Sequence, residues 1–120
     1  MRDFRQLRVW SSAHELTLAL YKTTRSFPSD ERFGLTAQIR RATVSIGANI
    51  AEGCGRRGRK ELARFLIIAA GSASELDYHL IVAVDLGFVE RSAYERLASH
   101  LAGVRRMLAT FIRKVATQTA

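Results

Sequence analysis

A chain of 120 residues fits one domain, residues 1 to 120, large enough to bury about two-thirds of its unfolded surface without a disulfide or metal staple. Cys54 is the only cysteine, no apolar run approaches the ~18 residues of a membrane span, and no signal segment leads the sequence, so a cytoplasmic protein without a membrane partner is expected. Nineteen basic residues oppose eleven acidic ones for a net charge of +8, and every cation but Lys22, Lys60 and Lys114 is arginine, whose planar fork suits phosphate.

Apolar residues recur at three- and four-residue spacing rather than alternating, and Pro28 is the only proline, so the predicted fold is all-α with four helices. The first spans about residues 8 to 26, aligns Val9, Ala13, Leu16, Leu20 and Phe27, and ends at Pro28. The second opens near Ser29, where Asp30 and Glu31 suit a helix N-terminus, and carries Leu35, Ile39, Ala42, Ile46 and Ile50 to about residue 53. The glycine-rich loop Gly53-Cys54-Gly55-Arg56-Arg57-Gly58-Arg59 leads to a third helix of about residues 60 to 86, closed by Gly87 as a left-handed cap. The fourth begins at the capping box Ser92-Ala93-Tyr94-Glu95 and runs to about residue 116. Its seam, Leu97, Leu101, Val104, Leu108, Phe111 and Val115, steps by four and three in the rhythm of helices crossing at about 20°. Short connections imply an antiparallel up-down-up-down bundle, with Gly47 and Gly71-Ser72 as candidate kinks.

At 100° per residue, Leu62, Phe65, Leu66, Ala69, Ala73, Leu76, Leu80 and Ala83 share the core face of the third helix. Ile67, Tyr78 and Val82 point the other way, with Gly71 and Ser74 small enough beside them for close approach by a neighbour. On the first helix Trp10, Leu18 and Tyr21 form a second patch. Helices apolar on both sides need cover on both sides, so these eight residues predict self-association. Stacking of Trp10 and Tyr21 on unpaired bases is the weaker alternative.

Antiparallel threading brings the N-terminal arm, the loop between the second and third helices and the end of the fourth helix to one end of the bundle. Arg2, Arg5, Arg8, Arg56, Arg57, Arg59, Lys60, Arg64, Arg113 and Lys114 gather there against Asp3, Glu52 and Glu61, a net of plus seven, and the remaining chain holds nine cations against eight carboxylates. Glycines 53, 55 and 58 free the loop to wrap an anion, and the next helix offers unpaired amides to a phosphate oxygen. Arg56, Arg57, Arg59 and Lys60 are therefore the principal candidate phosphate contacts, with Arg8, Arg64 and Arg113 as helpers.

Catalytic and cofactor motifs fail on detail. The loop superficially resembles a nucleotide-binding P-loop, but Arg59 stands where lysine should be, Lys60 where serine or threonine should hold magnesium, and a helix precedes it. A di-iron bundle needs two Glu-x-x-His pairs, and none occurs: His14, His79 and His100 lie on three helices, and Glu75 precedes His79 at the spacing of a surface pair. Cys54 has no identifiable base and reads as an ordinary loop thiol, a pKa lowered by Arg56 being the weaker alternative, and Ser72 and Ser74 lie within a helix. No catalytic residue, metal or cofactor is expected. Gln38, Ser45 and Glu52, with Arg41 and Asn49, form a polar stripe on the second helix, either an interface between protomers or a wet flank with Glu52 paired to Arg56.

Phe33-Gly34-Leu35, Gln38-Ile39-Arg40-Arg41-Ala42, Val44-Ser45-Ile46 and above all Ala48-Asn49-Ile50-Ala51-Glu52-Gly53 closely resemble the signature of the bacterial four-helix-bundle proteins encoded by intervening sequences of 23S ribosomal RNA. Val9-Trp10 with Ala13 and His14, Phe27-Pro28 with Glu31, Phe65-Leu66 with Ala69, and Gly71-Ser72-Ala73 with Glu75-Leu76 extend the resemblance over about residues 4 to 88. Gly47 departs from it, standing where many relatives have proline. The family includes the accessory variability proteins of diversity-generating retroelements, which are basic pentameric barrels that bind nucleic acid and a reverse transcriptase; the resemblance implies the fold and a homopentamer for this chain, and does not carry over the function. The sequence thus points to a non-enzymatic, homo-oligomeric, nucleic-acid-binding accessory protein. The alternative is a scaffold that docks a partner enzyme without touching nucleic acid.

Overall fold

The apolar stripes turn inward together. The computed structural model describes residues 2–118, the side chain of Gln118 apart, so that Met1, Thr119 and Ala120 of the expected domain lie outside the described residues. Helices α1 (Arg8–Thr24), α2 (Leu35–Gly55), α3 (Arg59–Asp85) and α4 (Arg91–Gln118) make up the protein, with single 3-10 turns at Phe4–Gln6 and Ser29–Glu31 and no strand among the described residues. Each helix packs on its neighbours in chain order and α1 closes the ring against α4, leaving α1 and α3, and α2 and α4, as diagonal pairs. The four-helix bundle is a rod of 48 × 23 × 20 Å.

Leu16, Leu20, Ile39, Ile46, Ile50, Leu66, Leu76, Leu101, Val104 and Leu108 are fully buried or nearly so, and the alanines at 42, 69, 73 and 83 let the helices approach between them. Burying one leucine or isoleucine side chain stabilises by about 1.5–3 kcal/mol, so this seam is what holds the rod together. Gly53 sits where α2 meets α3 most closely: a Cβ there would lie 3.0 Å from the Phe65 Cβ and 3.3 Å from the Leu62 carbonyl oxygen.

Helix ends differ from the sequence expectation for local reasons. The backbone breaks at Gly34, so α2 starts at Leu35 rather than near Ser29, and the Glu31 carboxylate caps it by accepting from the Leu35 amide at 2.9 Å. α2 then runs on through Gly53 to Gly55, which leaves only residues 56 to 58 as the connection to α3. Glycines 53 and 55 are therefore helical, and Gly58, at φ +83°, is the one loop glycine whose backbone a side chain would strain. Glu90, not Ser92, precedes α4, its carbonyl accepting the first helical bond from the Tyr94 amide.

Gly87, at φ +78°, ends α3 as expected: its amide bonds the Val84 carbonyl and the Phe88 amide bonds that of Ala83, while Phe88 packs on Phe27. Neither Gly47 nor Gly71 interrupts its helix. Against the expectation that no apolar run approaches a membrane span, α3 holds an 18-residue window of mean hydropathy 1.3, apolar enough by length and composition to cross a membrane. That apolarity divides between a core face and an outward stripe of Ile67, Ile68, Tyr78 and Ile81.

Candidate nucleic-acid interface

The N-terminal arm crosses the end of the rod. The Arg2 amide donates to the Cys54 carbonyl at the end of α2 (3.1 Å), and the Arg2 guanidinium lies 5.5 Å from the Phe111 ring centre on α4. One residue thus ties together the three chain segments that carry the basic pole. Asp3 holds the arm in shape, capping the turn at Phe4–Gln6 through the Arg5 amide at 3.0 Å.

All three carboxylates of the pole are spent locally. Asp3 pairs with Arg5 at 3.3 Å, Glu52 with Arg56 at 2.9 Å and Glu61 with Arg64 at 3.0 Å. Hydrogen bonding from Arg64 holds the Glu61 carboxyl below its ordinary pKa and raises that of Arg64 in return. Phe65 lies between two of these guanidiniums, with Arg56 at 5.1 Å and Arg64 at 4.4 Å from its ring centre. Arg56 and Arg64 are consequently oriented before any ligand arrives.

Arg56, Arg59 and Arg2 surround a recess of about 280 Å³ floored by Gly53, Cys54 and Leu62. Gly58 turns the chain into α3 beside it, and Arg59 and Lys60 begin that helix. Arg57 and Lys60 are exposed and join no ion pair among the described residues. Arg113 lies on the same end of α4, bonded to Thr110 at 3.3 Å. Arg8 lies further along, in a separate groove between α1 and α4 whose other cations are Arg106 and Lys114. Arg106 lies outside the ten cations that chain order places at the pole. Its membership depends on how α4 is rotated against α1, which spacing within one helix cannot reveal.

Cys54 lies in the last turn of α2 rather than in a loop. Its thiol is buried, and burial raises its pKa, with the Arg2 charge only partly opposing that rise. The histidines are engaged separately: His14 stacks on Trp10, His79 bonds Glu75 at 3.0 Å, and His100 bonds the Ser12 hydroxyl and carbonyl at 3.1 and 3.0 Å.

The eight residues read as an oligomer interface separate into two groups. Ile67 (58% exposed) and Tyr78 (64%) stand outward on α3 with Gly71, and Leu18 (57%) and Tyr21 (38%) do so on α1. Trp10, by contrast, is half-buried in its own protomer, edge-on to Phe4 at 4.9 Å and beside Gly47. Val82 is half-buried, and Ser74 accepts from Arg105 at 3.2 Å, which also reaches Asp77 at 3.1 Å. The polar stripe on α2 is bound within the chain: Ser45 bonds Ser72 at 2.8 Å, Asn49 bonds Ser45, and Arg41 bonds Gln38 and reaches Glu75 at 3.1 Å.

Residues 5–110 match the 23S rRNA-intervening sequence protein family, and the chain belongs to that family. A solved structure of a protein of unknown function, from the S23 ribosomal protein family of Bacteroides thetaiotaomicron, has a TM-score of 0.81 to this chain at 24% identity. The likeness covers 88% of this chain and 95% of that one, and it is a likeness of fold. Comparison with curated proteins finds no match.

Proposed function

We propose that this member of the 23S rRNA-intervening sequence protein family is a non-enzymatic accessory protein that binds nucleic acid through its basic pole. One observation carries the reading: ten cations share one end of the rod with three carboxylates, and each carboxylate is already paired with a neighbouring arginine. Arg57 and Lys60, within that surplus, join no ion pair among the described residues. Arg59 and Lys60 add a second argument, because they stand in the first turn of α3, where a cation opposes the helix dipole at a cost of about 0.3–1 kcal/mol. Selection for stability alone would favour acidic residues there. Arg56, Arg57, Arg59 and Lys60 contact phosphates, helped by Arg8, Arg64 and Arg113, and no base edge is read.

The protein acts as a ring. Its two exposed apolar patches, Leu18 with Tyr21 and Ile67 with Tyr78, lie on diagonal helices and so face opposite ways. Opposed patches suit a front-to-back contact, which forms a cyclic oligomer when its rotation closes. The family resemblance favours five subunits. Parallel protomers would direct every basic pole the same way, so that their fields and contacts add.

Fluorescence anisotropy at two salt concentrations tests the reading. Reversing the charges of Arg56, Arg57, Arg59 and Lys60 should weaken binding and flatten its salt dependence, each lost phosphate contact taking about 0.9 from the slope on duplex DNA. Unchanged affinity and slope would refute it. Phe33 (84% exposed) and Leu86 (59%), at the opposite end, support the second reading, a scaffold docking a partner enzyme such as a reverse transcriptase. Partner binding that survives nuclease and requires Phe33 would favour that role.

A further inference from the structure

The groove between the start of α1 and the last turns of α4 is larger than the recess at the α2–α3 turn, about 450 Å³, and is built differently. Its floor is apolar, made by Leu7, Met107 and Phe111, each half-buried and packed on the core. Its rim is cationic, made by Arg8, Arg106 and Lys114, and no carboxylate among the described residues lines it. These three side chains are exposed and join no ion pair among the described residues. Arg106 and Lys114 stand eight residues apart on α4, about 12 Å at the rise of an α-helix. Arg2 borders both depressions, lining the smaller one and lying over Phe111 in the larger.

An apolar floor repels a phosphate, and a cationic rim repels a purely apolar guest. A group satisfying both carries a flat apolar face between two anions, which describes an unstacked nucleotide. In a duplex the bases are stacked inside and present only phosphates, which the rim alone would hold. We infer that this groove seats an unpaired base of single-stranded nucleic acid against Met107 and Phe111, with the flanking phosphates on Arg8, Arg106 and Lys114. The inference rests on the nucleic-acid reading and narrows it to strands with unpaired segments, the phosphate recess supplying affinity that is blind to strandedness.

Three labelled probes test it by anisotropy on the full chain: an oligothymidylate, an abasic deoxyribose-phosphate strand of equal length, and a blunt hairpin duplex. The thymidylate should bind about fivefold or more tighter than the abasic strand, the lower limit for one stacked base. Met107→Ala with Phe111→Leu, which alters the floor and removes no charge, should abolish that preference and leave the duplex affinity within about twofold. Equal affinity for base-bearing and abasic strands overturns the inference. So does an unchanged preference in the groove variant, and if the reversed α2–α3 turn still loses affinity for every probe, nucleic-acid binding itself stands. If neither variant changes binding of any probe, both readings fall. Displacement of the thymidylate by an acidic amphipathic peptide that the abasic strand cannot displace would instead assign the groove to a protein partner.

Discussion

Replacing Arg57 and Lys60 together by alanine isolates the field of the pole from its packing. Both side chains are exposed, and their loss orphans no carboxylate, because Asp3, Glu52 and Glu61 keep Arg5, Arg56 and Arg64. Stability should therefore stay within about 0.5 kcal/mol, with a small gain where Lys60 no longer opposes the α3 dipole. Each phosphate contact contributes about 0.7 to the salt slope on a single strand and about 0.9 on duplex DNA, so the double variant should lose about 1.4 to 1.8. Between about 50 and 200 mM salt, the wild-type protein then sheds roughly tenfold more affinity than the variant does. Anisotropy titrations across a salt series read the slope, and the urea midpoint serves as the folding control. Parallel slopes for two equally stable proteins would remove both residues from the interface.

The proposed ring predicts that Ile67→Asp with Tyr78→Asp lowers the mass measured by light scattering to that of one chain while helicity is kept, since both residues are exposed on α3; an unchanged mass would sink that surface. Gly53→Ala forces a Cβ to within 3.0 Å of the Phe65 Cβ and should cost about 1–3 kcal/mol in urea denaturation, whereas Gly55→Ala, with nothing within 4 Å, should not. Hydrogen bonding from His79, joined by Arg41, holds the Glu75 carboxyl below its ordinary pKa. A lowered folded pKa contributes stability above the unfolded value and loses it as pH falls through the folded one. The stability gap between wild type and Glu75→Gln should thus close on acidification; Glu75 is 45% exposed, which keeps that gap well under 1 kcal/mol. A gap that widens toward acid would contradict the sign.

What spacing within one helix determines, the sequence disclosed. Every core residue expected on α3, from Leu62 to Ala83, is buried, and the Glu52–Arg56 and Glu75–His79 pairs form at their helical separations. Helix ends were less legible, because caps depend on side chains that reach back along the chain. Glu31 suited the N-terminus of a helix at Ser29, yet its carboxylate bonds the Leu35 amide beyond a break that only the Gly34 backbone explains. Trp10 was misjudged for a related reason: its cover comes from Phe4 and from the space beside Gly47, elements outside its own helix.

The two candidate sites divide along the same line. The pole depends only on which ends of the helices coincide, and antiparallel threading with short turns fixes that whatever the rotation of each helix; a list of charges in chain order was enough to find it. The groove depends on rotation. Arg106 and Lys114 flank a floor that exists because α4 presents Met107 and Phe111 toward Leu7 rather than wholly into the core, and the Phe111 position in the α4 seam looks from sequence like any other core site. Substituting Phe111 by leucine tests the distinction: the core volume is nearly kept, so the urea midpoint should shift little, while the thymidylate preference over the abasic strand should fall. A residue serving the seam alone would leave that preference untouched.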